Sequence, residues 1–216
     1  PLPSYDDIVN QYLLLGDVVG FQWWAGRLAL QGHPGASYHY ATNLRYATSF
    51  NPDAATAALM FGNATGYETD ANLQLAQMLS AGEGVVKDYV AARTLLEAYP
   101  NSGAARYQLA LLKEEGLGAP VDTAGAIRDF LAAAKLGNSD AMYTLGRRYL
   151  LAQGVAASAD DAYFWISLGL INGGGPSELP QFVALLEADK ASAAALLTSA
   201  ETAALDAAVA SGAPGD

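Results

Sequence analysis

The sequence has 216 residues, of which 52% are hydrophobic and 15% charged, with a net charge of −11 and no cysteine. That apolar content supports a packed core rather than a disordered chain. The charge disfavours nucleic acid or an anionic membrane as partner, since both are bound through lysine and arginine, and the lack of cysteine excludes disulfides, thiolate catalysis and cysteine zinc sites. No apolar run reaches membrane-spanning length, and the opening residues show no signal-peptide pattern.

Residues 1–70 read as an irregular helical part with room for a degenerate repeat. Spacing predicts a helix over 5–19, with Ile8, Tyr12, Leu13 and Leu15 near one face. A second helix, a turn at 32–35 and a third helix through Ala41 and Leu44 fit residues 23–48. Asn51-Pro52-Asp53 reads as a break and a helix start before another helix over 54–66. Eleven of the 21 aromatic residues fall in the first 67. Trp23 and Trp24 are adjacent, so one helix stripe cannot hold both; one is expected in the core and the other at a candidate aromatic interface. His33 and His39 have no carboxylate companion at ligand spacing, so they read as surface or turn groups and no metal site is expected. Asn63-Ala-Thr65 matches the glycosylation acceptor pattern.

From residue 71 the chain repeats itself. Gly82-Glu83-Gly84 recurs 34 residues later as Gly116-Leu117-Gly118, and Gly118 recurs 36 residues later as Gly154. Ala71, Leu73, Leu75 and Ala76 align with Ala105, Tyr107, Leu109 and Ala110, then with Ala141, Tyr143, Leu145 and Gly146. This is an apolar stripe at helical spacing, in which 76, 110 and 146 are small enough for close helix packing. Asp88, Asp122 and Ser158 stand where N-caps are needed, and Asp70 and Asp140 are placed to cap the first helix of their units. Ala92, Ala126 and Ala162 are equivalent, as are Leu95, Asp129 and Trp165. Gly103, Gly137 and Gly173 are expected to close the units.

The stretch Tyr143-Thr-Leu-Gly-Arg-Arg-Tyr149, then Gly154-Val155 and Ala162-Tyr-Phe-Trp165, resembles the Sel1-like repeat, a relative of the tetratricopeptide repeat. Gly84-Val85-Val86-Lys87-Asp88-Tyr89 resembles that family's turn. Three departures stand out. Ala152 replaces the first glycine of the third turn; Asp129 stands where the third unit has Trp165, with Phe130 beside it to take over the packing; Ala119-Pro120 replaces Val85-Val86. The resemblance implies an all-α, right-handed α-solenoid of helix-turn-helix repeats over 71–103, 104–139 and 140–173, with a helical N-terminal extension. Residues 174–216 are then capping helices and a frayed tail. Ser177 is placed to cap a helix through Phe182 and Leu186, and Thr198 with Glu201 forms a capping box for a helix through Leu205 and Val209.

No phosphate loop, dinucleotide fingerprint or nucleophile elbow is present. The pairs Asp6-Asp7, Glu114-Glu115 and Asp160-Asp161 are adjacent, which points their carboxylates to different helix faces. No catalytic residue and no cofactor is therefore expected. Recognition is left to the concave face that such repeats line with their first helix. By register its positions are Asn72, Arg106 and Met142; Gln77, Leu111 and Arg147; and Met78, Leu112 and Arg148. The three arginines could hold a carboxylate of an acidic peptide segment, or simply pair with nearby acids. The resemblance implies a non-catalytic scaffold or adaptor binding another protein, with a structural subunit of a larger, envelope or membrane-associated complex and a small-ligand regulator as alternatives. It also implies a periplasmic or otherwise exported location, with the cytoplasm as the alternative.

Overall fold

The computed structural model describes residues 4–13, 15–46, 53–67, 69–173 and 180–212. Among the described residues there are twelve α-helices and no strand. The chain divides into two compact units, Pro1–Tyr99 and Pro100–Asp216. The cut falls where a helix cannot continue, because Pro100 lacks the backbone N–H and restricts Tyr99 before it.

The first unit holds α1 (Tyr5–Ile8), one stretch of π-helix (Val9–Leu13), α2 (Val18–Ala29), α3 (Pro34–Tyr46), α4 (Ala54–Ala64), α5 (Thr69–Ala81) and α6 (Tyr89–Glu97). The single helix expected over 5–19 is instead broken. Gly16 takes a left-handed conformation at φ 76°, and Asp17 starts α2 afresh by accepting the Gly20 N–H at 2.9 Å. Asp53 starts α4 in the same way through Thr56, and those hydrogen bonds hold its carboxyl below the ordinary range. The core gathers Ile8, Phe21, Ala25, Ala36, Leu44, Ala57, Phe61 and Met78.

Both histidines are half-buried against one ring rather than at the surface, and His33 follows directly on the turn before α3, in keeping with the turn reading. The Tyr5 ring lies 4.9 Å from His33 and 6.0 Å from His39. His33 Nδ1 also accepts the Ala36 N–H at 3.2 Å, which caps α3. His39 meets the edge of Phe21 at 5.7 Å. Their role is packing and capping.

The second unit holds α7 (Gly103–Glu115), α8 (Thr123–Lys135), α9 (Ser139–Leu151), α10 (Ala159–Gly173), α11 (Pro180–Ala194) and α12 (Ser199–Ser211). The predicted N-caps are in place: Asp88 accepts from Ala91 N, Asp122 from Gly125 N and Ser158 from Asp161 N. Thr198 and Glu201 form the capping box. Ser177 lies outside the described residues. Two expectations need correction. Asn138, not Asp140, caps α9, and Asp140 and Asp70 sit inside first turns, where their charge favours the positive helix end. Gly103 does not close a unit; it opens α7 behind its cap Ser102, because Pro100 has already ended the preceding run.

The helix pairs α5/α6, α7/α8 and α9/α10 fall on the three segments in which the sequence repeats itself. Each helix is too short to be stable alone in water, so packing holds it. Ala76, Ala110 and Gly146 are buried at the close approach. A Cβ at Gly146 would lie 2.4 Å from Ile166 Cγ1. Phe130, Leu145 and Ile166 are fully buried in the second unit, each stabilising by about 1.5–3 kcal/mol relative to exposure.

Candidate functional site

The first helix of each repeat is α5, α7 or α9, and three register series on them were expected to face outward. The structure separates these series. Asn72 and Met142 are buried, as are Met78 and Leu112, so two of the series belong mostly to the core. Asn72 and Met142 are therefore not contact residues. The remaining series is Gln77, Leu111 and Arg147. Gln77 is half-buried and accepts from Arg45, and Leu111 packs on the core. Arg147 keeps 42% of its side chain exposed.

The arginines differ sharply in what they do. Arg106 reaches Asp129 at 2.6 Å and donates to the Pro100 carbonyl at 3.0 Å. Lys113 binds the other oxygen of Asp129. Asp129 is buried where the third repeat has Trp165, so the two cations neutralise a carboxylate that would otherwise be costly in the core. Arg148 meets both oxygens of Glu114 at 2.6 Å, while its guanidinium lies 4.9 Å from the Phe130 ring centre. Arg106 thus ties the two helices of one repeat, and Arg148 ties α9 to α7 of the repeat before it.

Arg147 is arranged otherwise. Its Nε lies 3.1 Å from Asp189 on α11, and the Tyr143 hydroxyl donates to the same carboxylate at 3.3 Å. Burial pushes the Tyr143 phenol up from its ordinary value, against the pull of the Arg147 charge, so it stays a neutral donor. Tyr143, Arg147 and Leu151 follow at intervals of four residues on one face of α9. With Thr144, Arg148 and Gln153 they line a cleft of about 190 Å³. The sequence brought Arg147 forward, but nothing in it pointed to Asp189, which comes from a helix beyond the repeats.

In the first unit the two tryptophans divide as adjacency requires. Trp24 packs on the core; Trp23 is largely exposed, edge-on to Trp24 at 4.7 Å, with the Arg27 guanidinium 5.0 Å from its ring centre. Among the described residues no helix is long and apolar enough to cross a membrane, and no group of three or more side chains is placed to hold a metal ion.

No family model and no curated protein matches the sequence. Solved structures do match the fold. A protective antigen of uropathogenic Escherichia coli strains, described as displaying an SLR fold, superposes with a TM-score of 0.70 at 22% identity over 96% of this chain. A Sel1 repeat protein from Oxalobacter formigenes gives a TM-score of 0.64 at 24% identity over 71% of this chain. The chain has the fold of the Sel1-like repeat proteins, an all-α solenoid class. It spans 44% of the length of the first of these proteins and 64% of the second.

Proposed function

We propose that this chain is a non-catalytic scaffold that binds another protein through the outward face of α9. Arg147 engages an acidic group of the partner, and Tyr143 and Leu151 supply the flanking contact. The observation that carries this reading is the cleft of about 190 Å³ in which a half-exposed arginine stands between an aromatic and an apolar side chain. Exposed arginine and tyrosine are the side chains that recognition surfaces favour. Arg148 is committed to Glu114 and Tyr143 donates to Asp189, while Arg147 holds Asp189 through Nε and keeps 42% of its side chain open to a partner. The reading extends to an exported, periplasmic location, with which the low lysine content and the lack of cysteine are compatible; fractionation of the native source tests it.

The test is retention of a partner from the native source by the wild-type chain and by Arg147→Ala, a change that leaves the Arg148–Glu114 and Arg106–Asp129 pairs intact. A partner held by the wild type and lost by the variant supports the α9 site. Equal retention moves recognition away from α9, and no retained protein at all removes the scaffold reading.

A further inference from the structure

Helix α12 is seated far more lightly than the repeat helices beneath it. Helix α8 buries six of its residues and α10 seven, but α12 buries Val209 alone. Leu205 and Ala208 assist from partly buried positions, against the cluster that holds Phe130, Phe164 and Trp165. The Tyr163 hydroxyl on α10 donates to Asp206 at 2.8 Å and latches the helix. Little burial makes local opening cheap, and a helix of this length is barely stable in water by itself.

Helix α12 also leaves the groove under it part empty. At its N-terminal end a cleft of about 410 Å³ opens among Ser158, Asp160, Asp161, Phe164, Glu201 and Leu205. At its C-terminal end a cleft of about 540 Å³ is lined by Met142, Trp165, Leu168, Ile171 and Lys135, and Phe164 lines both clefts. Well-matched helices pack without such voids.

The charges show the same mismatch. The first cleft has carboxylates and no cation, and α12 adds its own Glu201 to them. Lys135, alone of the described basic side chains, has neither a carboxylate nor an aromatic ring against it. Helix α12 offers it no acid, for the residues it brings to that cleft are Val209, Ala210, Ser211 and Gly212. Acids at one end and a lysine at the other suit a helix running in the direction of α12, positive end first. The direction of α12 therefore fits the groove, and its side chains do not.

We propose that this groove along α10 is a docking site for an amphipathic helix of another protein, and that α12 is a weak internal occupant which that helix displaces. The fitting helix carries bulkier apolar residues than the alanines of α12, a basic residue facing Asp160 and Asp161, and an acidic one facing Lys135. The groove shares no lining residue with the α9 cleft, so either reading can fail without the other.

The probe is a labelled synthetic peptide of residues 198–212 with Ala204→Arg and Ser211→Glu, titrated with the whole chain and read by fluorescence anisotropy. The expected result is saturable binding, at least about tenfold tighter than that of a peptide with Ala204→Glu and Ser211→Lys. Asp206→Ala in the chain removes the latch and tightens the probe about fivefold, because the open groove is more populated. Ala204→Arg with Ser211→Glu in the chain's own α12 closes the groove and weakens the probe at least about tenfold. Hydrogen exchange supplies a second readout: wild-type α12 amides exchange at least about a hundredfold faster than those of α10, and the closed variant slows them. Equal protection of α12 and α10, equal affinity for the two peptides, or no binding even to the Asp206→Ala chain overturns the proposal. Self-association of the Asp206→Ala chain in sedimentation velocity, without binding of the probe, gives the groove to a second copy and overturns the partner.

Discussion

In the first unit ring meets ring: Tyr5 lies against His33 and His39, Phe21 meets His39, and Tyr38 meets Phe61. In the second unit charged ties are added to the ring pairs Tyr107–Phe130 and Phe164–Trp165, running from Arg106 and Lys113 to Asp129, from Arg148 to Glu114 and from Arg147 to Asp189, where the described residues of the first unit have one long-range ion pair, Arg45 with Glu83. The difference follows from regularity. Irregular helices leave gaps of unequal shape, which large flat side chains fill without directional demands. Stacked repeats place equivalent residues opposite each other at a fixed spacing, so a charge on one helix can find its partner on the next.

The turns are where the two units can be compared residue for residue. Gly84 in the first unit and Gly118 in the second have the same sign of φ, 69° and 75°. A Cβ at Gly84 would also lie 2.3 Å from the Ala54 carbonyl carbon, in the backbone of α4. Gly84→Val is expected to cost more than about 4 kcal/mol, because backbone cannot move aside and the conformation is strained as well. Gly118→Val is expected to cost at least about 1–2 kcal/mol from the left-handed conformation it shares with Gly84. Thermal melts by circular dichroism measure both, and an unchanged melting temperature for Gly84→Val would show that neither the α4 contact nor the turn conformation matters.

The ionic ties of the second unit are the next target. Lys113→Ala leaves the buried Asp129 with Arg106 alone, and a loss of about 3 kcal/mol is expected. Urea denaturation of the variant checks this; a loss under about 1 kcal/mol would place Asp129 with ordinary surface pairs. The smallest effect is a gain. Ala152 ends α9 in the left-handed conformation at φ 53°, where the other repeats have glycine. Ala152→Gly is expected to stabilise by about 1 kcal/mol, seen as a higher melting temperature, and a loss would mean that the alanine methyl group makes a contact worth more than the strain.

The repeats were legible because their determinants are local. Glycines that need positive φ, cap residues one position before a helix, and small residues at 76, 110 and 146 leave marks in the sequence without any knowledge of what packs where. The break before α2 carried such a mark in Gly16-Asp17, hidden by the apolar residues on both sides. The outward face was harder to read, since polar residues occupy core positions. Arg148 shares its register with Met78 and Leu112, and Arg106 with Met142, so the apolar members of each series were the better guide to burial. Asp189 could not be found from register at all, because α11 lies outside the repeat.

The Arg148–Glu114 bond joins residues 34 positions apart, the same spacing as the first repeat interval. Chains of this architecture are thought of as modular, as though a unit could be excised and the ends rejoined. Excision of residues 104–139 would bring Arg148 opposite Ser80, the residue equivalent to Glu114 one interval earlier. A half-sequestered guanidinium would then face a hydroxyl group. The bond therefore fixes the order of the repeats as well as their packing, and makes the second repeat a neighbour that the third cannot exchange.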